Sequence, residues 1–257
     1  MVLFDSHCHL DFPVFDSRRD EILARCQRQG LRGIVVPAVS RVNWSRLRRV
    51  CEKYELLHPA LGLHPLFMMQ HGENDVAALA LALERQRPLA LGEIGLDFYH
   101  GREDAADQQA LFEAQLELAE QFHLPVILHV RKAHDTVLAC LRRYKLQGGI
   151  VHAFAGSRQQ AEHYLALGFK LGLGGAMTHP RARRLRRLAS ELPLSALVLE
   201  TDAPDMLPAW QHEGPNTPEN IPRYCQLLAD LRTLPCEQVA TQTSANLRQV
   251  LPLPLPA

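Results

Sequence analysis

Short apolar runs alternate with longer amphipathic segments along almost the whole chain. The short runs are rich in valine, isoleucine and leucine and lack strict apolar–polar alternation, which is typical of parallel strands buried on both faces. Eight runs have this character, at 2–7, 33–39, 57–63, 89–95, 125–130, 149–153, 169–174 and 196–201. The segments between them place apolar residues at helical spacing. These segments lie at 17–29, 43–54, 75–86, 108–122, 134–143, 159–166 and 182–191.

Eight strand-then-helix units predict a single-domain α/β fold, a closed (β/α)8 barrel of the TIM type. An open doubly wound sheet has the same local alternation and differs only in strand order, but the number of units favours the barrel. A loop at 203–218 then precedes two helical segments, 218–231 and 236–250, which we expect to close the ring. We therefore predict one domain over residues 1–250. The proline-rich tail, 251–257, cannot continue a helix and is expected to be extended or frayed.

The composition supports a well-packed domain without a global charge. Of 257 residues, 28 are basic, 28 are acidic and 47% are apolar, so the chain can bury a large core without metals or disulfides. A disordered chain, a collagen and a disulfide-stapled miniprotein are thereby excluded. Because the net charge is zero, no global field attracts polyanions, and any phosphate has to be held locally.

The cysteines and the N-terminus indicate the cellular compartment. The six cysteines are scattered without a C-x-x-C pair, and we interpret them as reduced thiols. The N-terminal residues lack a basic stretch followed by an apolar one, and no apolar run approaches the roughly 18 residues of a membrane span. We expect a cytoplasmic protein with no membrane association and no obligate protein partner.

Polar residues cluster where the predicted strands end. In a parallel barrel the carboxyl ends of all strands meet at one rim, where barrel enzymes place their active sites. Five runs end in histidines or carboxylates, namely His7 with His9, Glu93, His129, His152, and Glu200 with Asp202. Packing these groups together is costly because they lose their hydration, and a bound divalent cation removes that cost.

The spacing of these residues suggests how cations are held. His7 and His9 are two residues apart, so on a strand both imidazoles face the barrel interior, although a lone H-x-H can also be an ordinary polar pair. Without Glu200 the set has six members, and six protein ligands fit two ions better than one if a carboxylate bridges them. Glu93 is the expected bridge. Imidazole and carboxylate ligands suit Zn, Mn, Fe or Ni and are compatible with Mg.

Two adjacent divalent ions predict hydrolysis without a protein nucleophile. Such ions lower the pKa of a shared water and hold a phosphate oxygen. Asp202 is the expected acceptor of the water proton. Glu200, two residues earlier, faces the same interior, where it either orients a ligand or is a buried structural acid.

Three further positions carry weaker signals. His64, in Gly62-Leu-His-Pro65, is placed to touch substrate, although a histidine before proline is as often a turn residue. Arg131 is able to form a bidentate phosphate contact, or else is a solvated loop residue. The run Arg181–Arg187 resembles a basic patch for backbone phosphates, but charged helical stretches are usually solvated faces.

Ordered motifs extend over nearly the whole chain. They are Asp5-Ser-His-Cys-His9, Gly62-Leu-His-Pro65, Gly92-Glu-Ile-Gly-Leu-Asp97, Pro125-Val-Ile-Leu-His129, Val151-His-Ala-Phe-Ala-Gly156, Gly172-Leu-Gly-Gly175, Leu199-Glu-Thr-Asp-Ala-Pro204 and Asn246. This set resembles the TatD family of metal-dependent hydrolases, the TatD-type deoxyribonucleases of the amidohydrolase-like barrel superfamily. The stretch Asp202-Ala-Pro-Asp-Met206 resembles the YjjV-like branch more closely.

The resemblance implies a site and an activity. The site has His7, His9 and Asp202 on one divalent ion, His129 and His152 on the other, and Glu93 between them. The activity is hydrolysis of DNA phosphodiesters, typically from the 3′ end. The same fold and ions support other chemistries, so a hydrolase of a small ester, amide or phosphate is the first alternative. A metal-binding protein without turnover is the second.

Overall fold

The computed structural model describes residues 1–253, and over that range the chain forms eight strands and nine α-helices. The strands are β1 Leu3–Asp5, β2 Leu31–Pro37, β3 Leu57–Ala60, β4 Leu91–Asp97, β5 Val126–Arg131, β6 Gly149–Val151, β7 Phe169–Leu173 and β8 Leu197–Leu199. The helices are α1 Arg19–Arg28, α2 Trp44–Lys53, α3 Asp75–Arg85, α4 Ala105–Gln121, α5 His134–Leu141, α6 Arg158–Ala166, α7 Arg183–Glu191, α8 Ile221–Arg232 and α9 Cys236–Val250. None of these helices has the length and apolar character needed to cross a bilayer.

The strands form a closed ring. β1, β2 and β3 pair in parallel in that order, and so do β4 to β8. Two seams join these groups. At one, the Gly92 backbone N–H donates to the Leu61 carbonyl at 2.8 Å, and at the other the Ser6 N–H donates to the Leu199 carbonyl at 2.9 Å. The predicted (β/α)8 barrel is therefore confirmed, and the open doubly wound sheet was the wrong alternative.

Alternate strand residues fill the barrel from its amino end to its carboxyl end. A buried apolar cluster at the amino end takes residues from or beside seven of the strands, namely Phe4, Val35, Ala60, Ala90, Ile127, Ile150 and Val198. Two residues after Ile127, Ile150 and Val198 come His129 on β5, His152 directly after β6, and Glu200 directly after β8. The interior thus changes from apolar to polar within one side-chain repeat, and the polar layer forms the rim.

The last helix closes the amino end of the barrel. The Asn246 side-chain amide on α9 donates to the carbonyls of Leu194 and Leu197, both at 2.7 Å, which ties the helix to β8. Leu251 and Leu253 follow the helix and pack against the apolar cluster, so the start of the predicted tail is buried and not frayed. Residues 254–257 of that tail lie outside the described part of the chain.

Candidate metal centre

The side chains predicted to share a metal centre converge on Glu93. Its carboxylate, on β4, is almost fully buried. Oε2 lies 3.1 Å from Nε2 of His7 and 3.5 Å from Nε2 of His9. Oε1 lies 3.0 Å from Nδ1 of His129 and 3.1 Å from Nε2 of His152. Each oxygen of one carboxylate therefore faces a different set of imidazoles, and His64, described below, is a third neighbour of Oε1.

Asp202 completes the first of these groups. It follows β8, and its Oδ1 lies 3.4 Å from Nε2 of His7 and 3.8 Å from Nε2 of His9. The two imidazole nitrogens are themselves 3.3 Å apart. Donor atoms at the corners of a tetrahedron around Zn²⁺, bonded at 2.0–2.1 Å, are separated by about 3.3 Å. The spacing of this group therefore fits a small divalent cation.

His7 and His9 reach the site from a loop. The first predicted run, 2–7, ends at His7 with His9 just beyond it, but β1 ends at Asp5. The buried Asp5 carboxylate accepts hydrogen bonds from the backbone N–H of His7 at 3.1 Å and from the N–H and hydroxyl of Thr201 at 3.0 and 2.5 Å. These bonds fix the segment after β1 against the segment after β8, so both imidazoles still face the interior although the strand is shorter than predicted.

Hydrogen bonds on the outer side of two histidines determine where their protons lie. Nδ1 of His9 is 3.1 Å from the Pro37 carbonyl, and Nε2 of His129 is 2.8 Å from Oδ2 of Asp97. Carbonyl and carboxylate oxygens only accept, so each imidazole donates outward from that nitrogen. In the neutral ring the other nitrogen then directs a lone pair at Glu93. Lone pairs facing carboxylate oxygens repel, and a cation between them removes the repulsion.

His152 also faces a carboxylate on its outer side, but its Nδ1 makes no hydrogen bond within residues 1–253. Its Nδ1 lies 3.5 Å from Oε1 of Glu200, a buried carboxylate that also accepts the N–H of Ala153 at 2.5 Å. Gly172 on β7 makes room for this carboxylate, because a Cβ at that position would collide with Oε2 of Glu200. The geometry thus places Glu200 where it is able to orient His152.

His64 has the opposite proton arrangement. Its Nδ1 accepts the backbone N–H of Leu66 at 3.0 Å, so the neutral ring carries its proton on Nε2. That Nε2 lies 3.1 Å from Oε1 of Glu93 and donates to it. Burial lowers the pKa of His64 to about 4, which keeps the ring neutral near pH 7. His64 therefore differs from His9 and His129, since its inner nitrogen is a donor and not a free ligand.

The two carboxylates of the centre have pKa values shifted in opposite directions. Burial alone would raise the pKa of Glu93, but the surrounding imidazoles, led by His64 and His7, hold it well below its usual value. Burial raises the pKa of Asp202 to about 6, against the opposing attraction of His152 and His9. Glu93 is thus ionised near neutral pH, and Asp202 is the carboxylate whose pKa lies closer to neutral pH.

A cleft of about 870 Å³ reaches the centre from one side. Its walls include His129, His152 and Asp202, and the Asp202 side chain is the most exposed of the six predicted ligands, at 16%. Arg131, at the end of β5, also lines the cleft, with its guanidinium carbon 3.6 Å from the centre of the Tyr99 ring. Arg131, predicted from the sequence to contact substrate, therefore lines the same cleft as the metal-centre residues.

Asp97 contacts a residue of the centre and was not singled out from the sequence pattern. Its signal in the sequence is its position near the end of the fourth run, four residues and therefore two side-chain repeats after Glu93. Its carboxylate holds Nε2 of His129 and also accepts the Tyr99 N–H at 2.9 Å. Only the pairing of β4 with β5, which places Asp97 beside Arg131, shows which histidine it orients.

We expect Asp97→Asn to weaken metal binding about 10- to 100-fold, the usual effect of removing a carboxylate that orients a histidine ligand. The asparagine amide presents a donor or a weaker acceptor to Nε2 of His129, so Nδ1 loses its fixed lone pair. Competition with a chromogenic chelator measures the affinity. Asp107→Asn, at an exposed position on α4, is the control. Equal affinities for the two variants would contradict the orienting role.

The chain is similar to known metal-dependent hydrolases. A family model described as TatD related DNase matches residues 4–252. The uncharacterized metal-dependent hydrolase YjjV of Escherichia coli (strain K12) is 43% identical over 240 residues, 92% of each chain. The 3′-5′ ssDNA/RNA exonuclease TatD of Pantoea sp. (strain At-9b) is 32% identical over 98% of this chain and the full length of the relative.

A solved structure agrees as well. The crystal structure of YjjV, a TatD homologue from Escherichia coli K12, superposes with a TM-score of 0.94 at 40% identity and covers 98% of both chains. The family model, the relatives and the shared fold all confirm the resemblance read from the motifs. The chain therefore belongs to the TatD family of metal-dependent hydrolases.

Proposed function

We propose that this enzyme hydrolyses phosphodiester bonds at the 3′ end of single-stranded nucleic acid and that it uses two divalent cations. The observation that carries the proposal is the Glu93 carboxylate, whose two oxygens face two separate sets of donors. His7, His9 and Asp202 would hold one ion, and His129 and His152 the other, with Glu93 as the shared ligand. The relatives named 3′-5′ ssDNA/RNA exonuclease support the choice of substrate.

The chemistry of the donor atoms limits which metals the site would bind. The set consists of imidazole nitrogens and carboxylate oxygens without a thiolate, which suits Zn, Mn, Fe or Ni and is compatible with Mg. Cys8, between His7 and His9 in the sequence, is not part of the set, because its backbone N–H pairs with Val35 and its side chain packs in the hydrophobic core. When bound, divalent cations polarise a phosphate oxygen and make water a stronger nucleophile near neutral pH.

The residues of the chain then have distinct tasks. Asp202, at the open end of the cleft, accepts the proton of the attacking water. Arg131, ordered against the Tyr99 ring, binds a non-reacting phosphate oxygen through its planar guanidinium. Glu200 orients His152 through Nδ1.

For His64 we distinguish a contact with Glu93, which the structure supplies, from the substrate contact expected from the sequence. Its Nε2–H points to Glu93 and restricts the rotation of that carboxylate. The substrate contact expected of His64 from the sequence stays a prediction. In the structure the imidazole is buried and its donor nitrogen is directed at Glu93.

The test is hydrolysis by the purified holoenzyme of a single-stranded oligonucleotide with a free 3′ hydroxyl, beside the same strand blocked at the 3′ end. We expect stepwise release of mononucleotides from the free strand, loss of activity with chelator, and recovery on adding Mg²⁺, Mn²⁺ or Zn²⁺. A panel of small esters, amides and phosphate monoesters is run in parallel. Metal-dependent turnover of a panel member with the oligonucleotide left intact would reject the nuclease and favour the small-molecule alternative.

A further inference from the structure

The cleft that reaches the metal centre has more basic than acidic side chains beyond the metal-centre residues. Its lining includes Arg131, Lys132 and Arg184, and one further carboxylate, that of Asp205. Arg131, the last residue of β5, and Lys132, which follows it, stand against the exposed ring of Tyr99, with their charged groups 3.6 and 5.0 Å from the ring centre. A cleft of about 870 Å³ is the size that encloses a drug-sized ligand, and hence about one or two nucleotides.

Helix α7 extends this positive surface away from the cleft. Five arginines occur between positions 181 and 187, in a chain whose net charge is zero. Arg184 donates to the Ala155 carbonyl at 2.6 Å, which holds it at the cleft wall, and Arg186 donates to the Met177 carbonyl at 3.1 Å. The side chains of Arg183 and Arg187 are exposed.

No carboxylate among residues 1–253 lies within ion-pairing distance of any of these arginines. The acidic residue at the end of α7, Glu191, pairs instead with Arg158 on α6 at 3.3 Å. Six of the other 19 arginines pair with a carboxylate, as Arg25 does with Glu219 and Arg46 with Asp16. The first two turns of α7 thus concentrate positive charge that no acidic side chain neutralises, directly beside the cleft.

We propose that a single-stranded nucleic acid leaves the metal centre through the cleft and continues across the exposed face of α7, with Arg183 and Arg187 contacting its backbone phosphates. The inference rests on the proposed function, which places a strand end at the metal centre. It adds the direction of the strand and a contact surface outside the catalytic residues. The occupant is a single strand because the terminal nucleotides have to enter a cleft of one- or two-nucleotide size, while repeated phosphates match the successive arginines.

The test is the salt dependence of binding. The probe is a fluorescent oligothymidylate with phosphorothioate linkages, which resist cleavage, and fluorescence anisotropy reports Kd for the holoenzyme over a range of NaCl concentrations. Each phosphate contact on a single strand contributes about 0.7 to the slope of log K against log salt. We expect Arg183→Gln/Arg187→Gln to lower the slope by about 1.4 and to weaken binding at low salt about tenfold or more.

The matched control is Arg28→Gln/Arg49→Gln, which removes two exposed arginines from α1 and α2. It is expected to bind like the wild type. A wild-type slope for the α7 variant, an equal loss in the control, or tighter binding of a duplex than of the single strand would overturn the inference. Hydrolysis of the unmodified strand by the wild type separates the two proposals. If hydrolysis occurs while the α7 variant keeps the wild-type slope, the strand path is wrong and the nuclease assignment stands.

Discussion

Replacing Glu93 by glutamine is expected to remove metal from both halves of the centre and to abolish hydrolysis. Glutamine keeps the shape of the side chain but loses the negative charge and offers one acceptor oxygen in place of two. The lone pairs of His129 and His9 then lack the carboxylate with which they would bind a cation. Loss of a residue that only orients a ligand already costs about 10- to 100-fold in affinity, so loss of the bridge should exceed about 100-fold.

Elemental analysis after exhaustive dialysis measures the occupancy of this variant, and circular dichroism checks its fold. Glu84→Gln, on the exposed side of α3, serves as the control and should retain wild-type metal content. Two ions per chain in the Glu93→Gln protein would refute the bridging role. One retained ion would contradict the expected loss from both halves and would show that the remaining amide oxygen, or the other ligands of one half, suffice to hold an ion.

Asp202→Asn is expected to lower kcat about 10²- to 10⁴-fold at saturating metal, the usual contribution of a general base. The backbone of Asp202 has φ of +55°, a left-handed conformation that asparagine tolerates better than most residues, so the fold should be preserved. The amide cannot accept the proton of the attacking water. It remains able to contact a cation through its carbonyl oxygen, so the loss in kcat should be larger than the loss in metal affinity.

The measurement is kcat and KM over a titration of metal, with thermal unfolding as the check on the fold. Asp107→Asn is again the control of equal chemistry at an exposed site. Turnover of Asp202→Asn equal to that of the wild type would rule out this carboxylate as the base. A loss that added metal fully restores would show that Asp202 acts only as a ligand.

The barrel and the convergence of its polar residues were predictable because both depend on simple repeats. Buried parallel strands have continuous apolar runs, and counting eight of them predicted the closed ring. Within β5, Ile127 at the amino end and His129 at the rim are two residues apart, so the strand repeat alone places both inside the barrel. The same repeat relates Ile150 to His152 and thus predicts which residues share the rim.

The proton arrangement of the site was not predictable, because it depends on partners that are distant in the sequence. His64 comes shortly after β3, and His129 lies near the end of β5. The Leu66 N–H makes the inner nitrogen of His64 a donor, whereas Asp97 makes the inner nitrogen of His129 an acceptor. The early end of β1 was also missed, since apolar periodicity does not report the bonds by which Thr201 holds Asp5.

The seam between the first and last strands has a consequence for how the protein matures. His7 and Asp202 meet only after β8 has docked beside β1, because the Asp202 N–H bonds to the His7 carbonyl at 2.8 Å across that seam. A nascent chain still lacking its final strand cannot assemble this half of the centre. Capture of a cation by His7, His9 and Asp202 therefore follows synthesis and docking of β8, and it stabilises the closed ring by a free energy that grows with the logarithm of the free metal concentration.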